Sequence, residues 1–482
     1  MTMRRLDRAQ LPIVAMALAL CGVAGALASA RTPAAPLVGV VAVVAMMSLV
    51  TWRHGVTALL VVLPFSGVPV FMAGESGLAL RDLAIILPAY AGFALWVTSR
   101  REAVLPQLGV ALPALAVFTA LVVAEVSTAP SLLVGAIGTK VWLAYVPMLA
   151  LGYHFVRTRS DFDRAMMITA VAGLIPAAIA LGEWFLAVRH PQTGVWVNDF
   201  GPFRHLYGSW YAQVQANGLA LPVGGHRFVV PRVPSTFTGS TQFYLFAMVA
   251  YAAGLSRALR TADWRWGACT AVLALAAIAS GQRQAYLTVP ALAITSVLLA
   301  APARAQLIKM LVVGAAVVAV LLMATTSPLT ILGAVPAHAW EAAGTGSAEL
   351  RGAVSTGIAG HGTGWDTQAA LRYGGSASKR YIENWYGKAA LELGIVGLAA
   401  IVLALASLQW RLFAGLRQID AASRRAAAPL CAMLALMTAT LFKGPVLDLD
   451  PMNVYFWLIT GMLLSFMAYV RDAGAIEAEV LA

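Results

Sequence analysis

Apolar stretches long enough to cross a lipid bilayer recur along most of this 482-residue chain. A transmembrane helix needs about 17 to 25 predominantly apolar residues, because the hydrocarbon core is about 30 Å thick and each helical residue rises about 1.5 Å. Hydrophobic residues make up 60% of the sequence and charged residues only 11%, whereas soluble globular chains carry about 25% charged residues. The sequence therefore predicts a polytopic membrane protein and excludes an ordinary soluble fold.

Windows of this length predict an all-α membrane helix bundle of about 14 transmembrane helices. The predicted spans cover residues 11–30, 36–52, 55–73, 79–98, 108–127, 132–156, 162–188, 240–260, 264–282, 284–302, 307–327, 387–410, 426–443 and 452–470. An even number of spans places both termini on the same side of the membrane.

The basic residues predict which side that is. A net charge of +12 would suggest a nucleic-acid partner in a soluble protein, but in membrane proteins Lys and Arg gather in short cytoplasmic connections. Alternate connections hold Arg4, Arg5, Arg8, Arg53, Arg100, Arg101, Arg157, Arg159, Arg164, Arg257, Arg260, Arg265, Arg304, Lys309, Arg411, Arg417, Arg424, Arg425 and Arg471. The opposite short connections hold only Arg31, Arg81, Arg283 and Lys443. Both termini are therefore predicted to be cytoplasmic, and topology accounts for the positive charge without a nucleic acid.

The same alternation places two long segments on the external side. Residues 1–188 are predicted to form the N-terminal transmembrane helices, and residues 189–239 the first long external loop. Residues 240–327 form the central helices, residues 328–386 the second long external loop, and residues 387–482 the C-terminal helices. Both loops are much longer than a helix connection needs, so the function is expected to lie there.

Arg283 is the most informative residue of the predicted external side. It interrupts an apolar connection, in Ser280-Gly-Gln-Arg283-Gln-Ala-Tyr286, where arginine is disfavoured. A charge at the centre of a membrane helix costs at least about 2.5 kcal/mol, so such a residue needs a partner. Its guanidinium could bind phosphate oxygens or extend to lipid headgroups, and these two interpretations are equally good for Arg283 alone. Arg232 stands at another external helix end, which favours an anion site.

Glu383 is a candidate general base, because a carboxylate at a partly dehydrated surface can take up a proton near neutral pH. Stabilisation of the following helix N-terminus is the alternative, and spacing alone favours it. Lys140 lies about eight residues into its span, about 12 Å below the external surface. Its side chain could reach the same site as the two arginines or extend to the membrane surface. The remaining candidates for substrate binding are Arg380, Asn384, Trp385, Tyr386 and Asp448. The aromatic residues suit an interfacial belt or stacking on sugar rings.

The histidines and cysteines do not indicate a metal site. His190, His205, His226 and His361 lack the clustering with Cys, Asp or Glu that metal ligands show. The glycine-rich stretch Gly360-His-Gly-Thr-Gly364 lacks the Lys-Ser/Thr ending and the strand-to-helix context of a phosphate-binding loop. We therefore expect neither a metal nor another cofactor.

Several short motifs, taken together, resemble the O-antigen ligase and O-antigen polymerase superfamily of bacterial envelope glycosyltransferases. Pro231-Arg-Val-Pro-Ser-Thr-Phe-Thr-Gly239 is similar to the family's arginine followed by a turn and a helix. Ser280-Gly-Gln-Arg283 resembles its Ser-x-Ser-Arg motif, and Tyr381-Ile-Glu-Asn-Trp-Tyr386 with Ala390-Leu-Glu-Leu-Gly-Ile-Val-Gly397 resembles its His-Asn-x-Tyr-Leu and Glu-Leu-Gly-x-x-Gly sequences. The resemblance extends over residues 55–470.

This resemblance implies a metal-independent enzyme of the bacterial inner membrane with a periplasmic active site. Such enzymes transfer a glycan from an undecaprenyl-diphosphate-linked donor to another lipid-linked glycan, in polymerases, or to lipid-A core, in ligases. It implies that Arg232 and Arg283 bind the diphosphate and that Glu383 takes the place of the family's histidine base. The span count and the two long loops favour an O-antigen or exopolysaccharide polymerase over a ligase. A flippase or secondary transporter is the non-enzymatic alternative, but the sequence lacks the internal repeat typical of transporters.

The predicted topology can be tested by introducing a cysteine at Ser347 in the second external loop. A membrane-impermeant maleimide applied to intact cells should label this cysteine. A cysteine at Ser160, in a predicted cytoplasmic connection, should react only after the cells are permeabilised. Labelling with the opposite accessibility would invert the predicted orientation of every span.

Overall fold

A computed structural model describes residues 45–46, 48–49, 51–68, 81–100, 108–189, 219–223, 226–230, 232–300, 343–355, 357–367 and 382–481. The chain divides into two compact units. The first comprises residues 1–104 with residues 236–238, and the second comprises residues 105–235 and 239–482.

Two helices form most of the described part of the first unit, which also includes helical residues at 45–46 and 48–49. Helix α1 spans Trp52–Val62 and continues as a 3-10 turn, Leu63–Phe65, and helix α2 spans Leu87–Arg100 after a π-helical turn at Asp82–Ile86. The ring of Trp52 on α1 packs edge-on against that of Phe93 on α2, with the ring centroids 5.1 Å apart. This aromatic contact holds the two apolar helices side by side.

The second unit contains the remaining helices and one short hairpin. Its helices are α3 Ala111–Ala124, α4 Leu132–Leu143, α5 Met148–Phe155, α6 Arg159–Arg189, α7 Ser240–Thr261, α8 Trp264–Ala279, α9 Ala285–Ala300, α10 Trp385–Gln418, α11 Ala421–Thr440 and α12 Met452–Leu481. A further helix covers residues 343–354. Strands β1 Leu219–Val223 and β2 His226–Val230 pair antiparallel within the predicted first external loop.

Helix α7 forms the centre of the second unit and packs against α6, α8 and α11. Its residues from Phe243 to Leu255 are buried around the whole circumference of the helix. Because α7 is buried on every side, it is enclosed by other helices and lies inside the bundle. Its Ser256 hydroxyl donates to the carbonyl of Ala426 on α11, 2.6 Å away.

Glycines allow helices α5 and α12 to approach each other closely. A Cβ added to Gly152 would lie 2.1 Å from the carbonyl oxygen of Leu458, and one added to Gly461 would lie 2.0 Å from that of Leu149. Small residues at such crossings bring backbones into van der Waals contact, which is the main packing force between helices in a membrane.

Arginine–aspartate pairs join three helix ends on one side of the second unit. Arg260, at the end of α7, lies 2.8 Å from Asp163, near the start of α6. Arg159, at the start of α6, lies 2.7 Å from Asp420, which caps the start of α11. Each of these arginines belongs to the set of basic residues predicted to be cytoplasmic. The pairs place the end of α7 on the same side as the starts of α6 and α11, so α7 runs antiparallel to both helices. This agrees with the predicted spans, which cross the membrane in alternating directions.

The predicted all-α architecture is confirmed for the part of the chain that the structure describes, apart from the β1–β2 hairpin, which the sequence did not predict. Within the described ranges, six helical segments are long and apolar enough to cross a membrane. They are Asp82–Ser99, Ala111–Thr128, Leu132–Phe155, Arg159–Phe185, Trp385–Gln418 and Met452–Ala473. The predicted spans 11–30 and 307–327 lie outside the described residues, so the total of about 14 stays a prediction, as does the division into five segments.

Candidate functional site

Four charged side chains lie at helix ends on the opposite side of the second unit from the arginine–aspartate pairs. Arg232 precedes α7, Arg283 lies between α8 and α9, Glu383 precedes α10, and Lys443 follows α11. The Nζ atom of Lys443 lies 2.6 Å from an Oε atom of Glu383, in a pair that is about half exposed. Burial, and next the charge of Arg283, lower the pKa of Arg232, while the charge of Glu383 raises it. The structure thus brings together the three residues that were predicted to be catalytic.

Hydrogen bonds to two neighbouring elements fix the backbone beside Arg232. The N–H of Val233 donates to the carbonyl of Ser280 at the end of α8, at 3.1 Å. The N–H of Ser235 donates to the carboxylate of Glu183 on α6, at 3.0 Å, and the Ser235 hydroxyl donates to the carbonyl of Pro176. Ser235 has φ of 54°, in the left-handed region that non-glycine residues rarely adopt. These bonds hold the turn in that conformation, so Arg232 has a defined position.

Polar contacts also hold the turn that carries Arg283. Gly281 has φ of 71°, and the buried amide of Gln282 donates to the hydroxyl of Ser240 at the start of α7, 2.6 Å away. Arg283 itself is exposed. Because Val233 bonds to Ser280 and Gln282 bonds to Ser240, the two segments that carry the arginines are joined to each other.

Among the described residues, the buried Nε atom of Arg232 has no hydrogen-bond partner, as is also true of the Nε atoms of Arg257, Arg260 and Arg425. A buried donor without a partner is uncommon, because leaving it unsatisfied costs about 1–3 kcal/mol. The charges of the Arg283 guanidinium and the Glu383 carboxylate also act on the Arg232 side chain. Together these features are those expected of a site that binds an anion.

A charge cluster lies around the buried Lys388, and we call Asp366, Lys388, Glu392 and Asp448 the buried charge cluster; the Asp448 side chain is 18% exposed and the other three residues are buried. Lys388 is 2% exposed, and its ammonium lies 2.5 Å from an Oδ atom of Asp448 and 4.7 Å from the centre of the Trp142 ring. The indole N–H of Trp385 donates to the other Oδ atom of Asp448, at 2.9 Å. The ammonium is therefore neutralised by a carboxylate and covered by aromatic rings.

Glu392 holds the glycine-rich loop in place. Its carboxylate accepts hydrogen bonds from the Trp142 indole at 2.7 Å and from the N–H groups of Gly364 and Asp366, both at 2.9 Å. Helix α10 breaks two residues later at Gly394, where φ is 71° and ψ is −177°. The break leaves carbonyls without helical partners, and the carbonyl of Glu392 instead accepts from the N–H of Gly362. The loop thus completes the hydrogen bonding of the broken helix.

Asp366 lies in this loop, outside the membrane-crossing helices, and is 5% exposed. Burial raises the pKa of its carboxyl group to about 8, and the negative charges of Glu392 and Asp448 also raise it. The Ile382 N–H, which bonds both carboxyl oxygens at 3.0 and 3.1 Å, and the Lys388 charge act in the opposite direction. We therefore expect the carboxyl group of Asp366 to be protonated near neutral pH.

The residues predicted to bind substrate have mostly structural contacts. Asn384 is buried: its side chain accepts from the Gly387 N–H, capping α10, and donates to the carbonyl of Gly346. The hydroxyl of Tyr386 donates to the carbonyl of Thr438, at 2.9 Å. Trp385 and Asp448 contribute to the buried charge cluster. Their proposed contacts with substrate stay predictions.

Lys140 and Arg380 were also predicted to bind substrate. Lys140 is exposed on α4, two positions before the buried Trp142, so the two side chains leave the helix in different directions. Arg380 lies outside the described residues. The structure thus adds no support for either role.

Lys388 and Asp366 are the charged residues that the sequence analysis missed. Lys388 is the second residue of the predicted span 387–410, and a lysine inside an apolar segment is a signal that could have been followed, because such a charge requires a partner. Asp366 gives no comparable signal, since acidic residues are common in loops. Glu392, which belongs to the Glu-Leu-Gly motif, accepts the indole N–H of Trp142.

Among the described residues, no three His, Cys, Asp or Glu side chains are arranged to hold a metal ion. No protein-family model matches the chain, and no curated protein is similar enough in sequence to suggest a function. The geometry of the site is therefore the basis for a functional proposal.

Replacing Lys388 by Met should destabilise the protein by about 3 kcal/mol, because it leaves the mostly buried carboxylate of Asp448, 18% exposed, without its ammonium partner. The control is Arg159→Met, which breaks the pair with Asp420, whose side chains are 50% and 44% exposed. Exposed pairs contribute at most about 1 kcal/mol, so the control should change little. Melting temperatures of the purified proteins in detergent measure both effects, and equal melting temperatures would contradict the role given to the buried pair.

The raised pKa of Asp366 predicts a pH dependence of stability. Between about pH 4 and pH 8 the folded carboxyl group keeps a proton that the unfolded chain has lost, so stability should fall as the pH rises through this window. The slope from this one group is up to about 1.4 kcal/mol per pH unit. Asp366→Asn should flatten the decline in melting temperature between pH 5 and pH 8. An unchanged slope in the variant would show that Asp366 is not the responsible group.

Proposed function

We propose that this protein is a membrane glycosyltransferase that takes a glycan from an undecaprenyl-diphosphate-linked donor on the periplasmic side of the bacterial inner membrane. We propose further that it is an O-antigen or exopolysaccharide polymerase, whose acceptor is the end of another lipid-linked glycan. The observation that carries the proposal is the association of Arg232, Arg283 and Glu383 at neighbouring helix ends. These residues come from three motifs whose order resembles that of the glycosyltransferase superfamily.

The chemistry of this residue set suits the proposed donor. Guanidinium groups bind phosphate oxygens through paired N–H donors, and the buried Nε of Arg232 offers one such donor. As the bond between the sugar and the phosphate breaks, its electron pair stays on the phosphate oxygen. Two fixed positive charges stabilise the negative charge that develops there, and this kind of stabilisation is usually the largest single contribution to catalysis.

Glu383 is suited to the second part of the reaction, the removal of the proton from the acceptor hydroxyl. It lies at the exposed start of α10, close enough to Arg232 for the two charges to interact. We propose that its carboxylate takes the proton of the acceptor hydroxyl while the acceptor oxygen bonds to the anomeric carbon. The proton then resides on Glu383, the sugar on the acceptor, and the additional negative charge on the lipid diphosphate.

Glycan transfer by purified protein with a lipid-linked oligosaccharide tests this proposal. Arg232→Gln and Arg283→Gln should each reduce transfer about 100-fold or more, because they remove stabilisation of the leaving diphosphate. Arg265→Gln is the control, since Arg265 is exposed at the opposite end of α8. Wild-type transfer by both site variants would refute the diphosphate assignment. Activity should persist in a chelator, and a strict requirement for a divalent metal would contradict the mechanism.

The same assay tests the base and separates the alternatives. Glu383→Gln should lose far more activity than Glu383→His, because histidine can still accept a proton. A polymerase gives a ladder of longer lipid-linked glycans, a ligase transfers glycan to lipid-A core, and a flippase leaves the donor chemically unchanged. If the wild type and both Glu383 variants are equally active, Glu383 is not the general base. Its position beside the N-terminus of α10 would then be structural.

A further inference from the structure

Lys443 is a charged group of the site to which the proposed chemistry assigns no role. Its ammonium lies 2.6 Å from the carboxylate of Glu383, so one oxygen of the proposed base is already occupied. To accept a proton from a sugar hydroxyl, the carboxylate needs this oxygen to be within reach of the hydroxyl group. The pair therefore has to open, or at least shift, before the acceptor can react.

Hydrogen bonds hold the backbone next to Lys443, whereas its side chain is partly exposed. The N–H groups of Lys443 and Gly444 both donate to the carbonyl of Thr440, and the carbonyl of the fully buried Leu441 accepts from the N–H of Trp385 at 3.0 Å. The Lys443 side chain is 40% exposed, and a lysine side chain carries its charge on four flexible carbons. The ammonium can thus exchange partners without any change in helix packing.

The charges of the four site residues match those of a diphosphate diester. Arg232, Arg283 and Lys443 contribute three positive charges and Glu383 one negative charge, which leaves a net charge of +2 on these four side chains. A diphosphate esterified at both ends carries one negative charge on each phosphate group. Without Lys443 the remaining three side chains would have a net charge of only +1.

We infer that Lys443 is a diphosphate-binding residue, which pairs with Glu383 while the site is empty and transfers to a phosphate oxygen when the lipid-linked donor binds. This inference rests on the proposed function and adds a residue to the same site. The arriving diphosphate supplies a doubly charged partner for the ammonium, and Glu383 is released towards the acceptor. Binding of the donor thereby activates the base.

This exchange keeps the charges balanced through the reaction. When the acceptor oxygen bonds to the anomeric carbon, the bond from that carbon to the phosphate oxygen breaks, and the diphosphate goes from two negative charges to three. In the same step Glu383 takes the acceptor proton and becomes neutral, so the net charge of the four side chains rises from +2 to +3. The site is therefore most complementary to the products of bond cleavage, which favours the transition state over the bound donor.

Binding of farnesyl diphosphate to the purified full-length protein tests the inference through a double-mutant cycle of Lys443→Gln and Glu383→Gln. Glu383→Gln should bind the probe more tightly than wild type, because it removes the negative charge of the site. Adding Lys443→Gln to that variant should weaken binding about tenfold, as expected when a charged hydrogen bond is lost. Lys443→Arg, which keeps the charge, should bind within about threefold of wild type.

The cycle distinguishes this inference from the proposal on which it rests. If Lys443 only holds Glu383 in position, Lys443→Gln will have no effect in the Glu383→Gln background, and the inference is overturned. Arg232→Gln in the same assay tests the diphosphate site itself. If Arg232→Gln and Arg283→Gln bind the probe as wild type does, the proposed function fails. If they bind weakly and only the Lys443 substitution is silent, the proposed function survives without a role for Lys443.

Discussion

The neutralisation of one buried ammonium group, that of Lys388, is the constraint on which the arrangement of the site depends. An unpaired charge in this position would cost several kcal/mol, so the fold must bring a carboxylate to it. Asp448 does so at 2.5 Å, and the ring of Trp142 covers the ammonium. Because these residues belong to α10, to the connection before α12 and to α4, one electrostatic requirement fixes three distant parts of the chain.

The exposed site is built directly on this interior. Asn384 caps α10 immediately after Glu383, and its amide also binds the carbonyl of Gly346. The backbone of Trp385 bonds to Leu441, which brings the end of α11, and with it Lys443, beside Glu383. The buried residues thus determine where the exposed charges lie, while the exposed pair keeps the freedom to exchange partners. A rigid framework with mobile charged side chains is well suited to binding an anionic lipid.

The sequence pointed to three charged residues of the candidate site, but it did not indicate the structural contacts of their neighbours. Arg232, Arg283 and Glu383 could be identified because charges at the ends of apolar segments on the predicted external side stand out along the chain. Lys443, the partner of Glu383, could not be assigned, because the two residues pair across 60 positions of the chain. Asn384 has the polarity of a ligand-binding residue, yet its buried contacts are those of a helix cap. No local pattern separates these two roles, since the same amide group serves both.

The sequence by itself determined that the chain is largely helical and apolar enough to cross a membrane, because hydropathy and helix length depend only on the order of residues. It also identified Arg283 as a charge that requires a partner. Only the tertiary structure decided which helix ends meet, since that depends on shape at close crossings such as those of Gly152 and Gly461. It alone also joined Lys388 to Asp448 and Lys443 to Glu383, because a charge selects its partner by distance in space and not by separation along the chain.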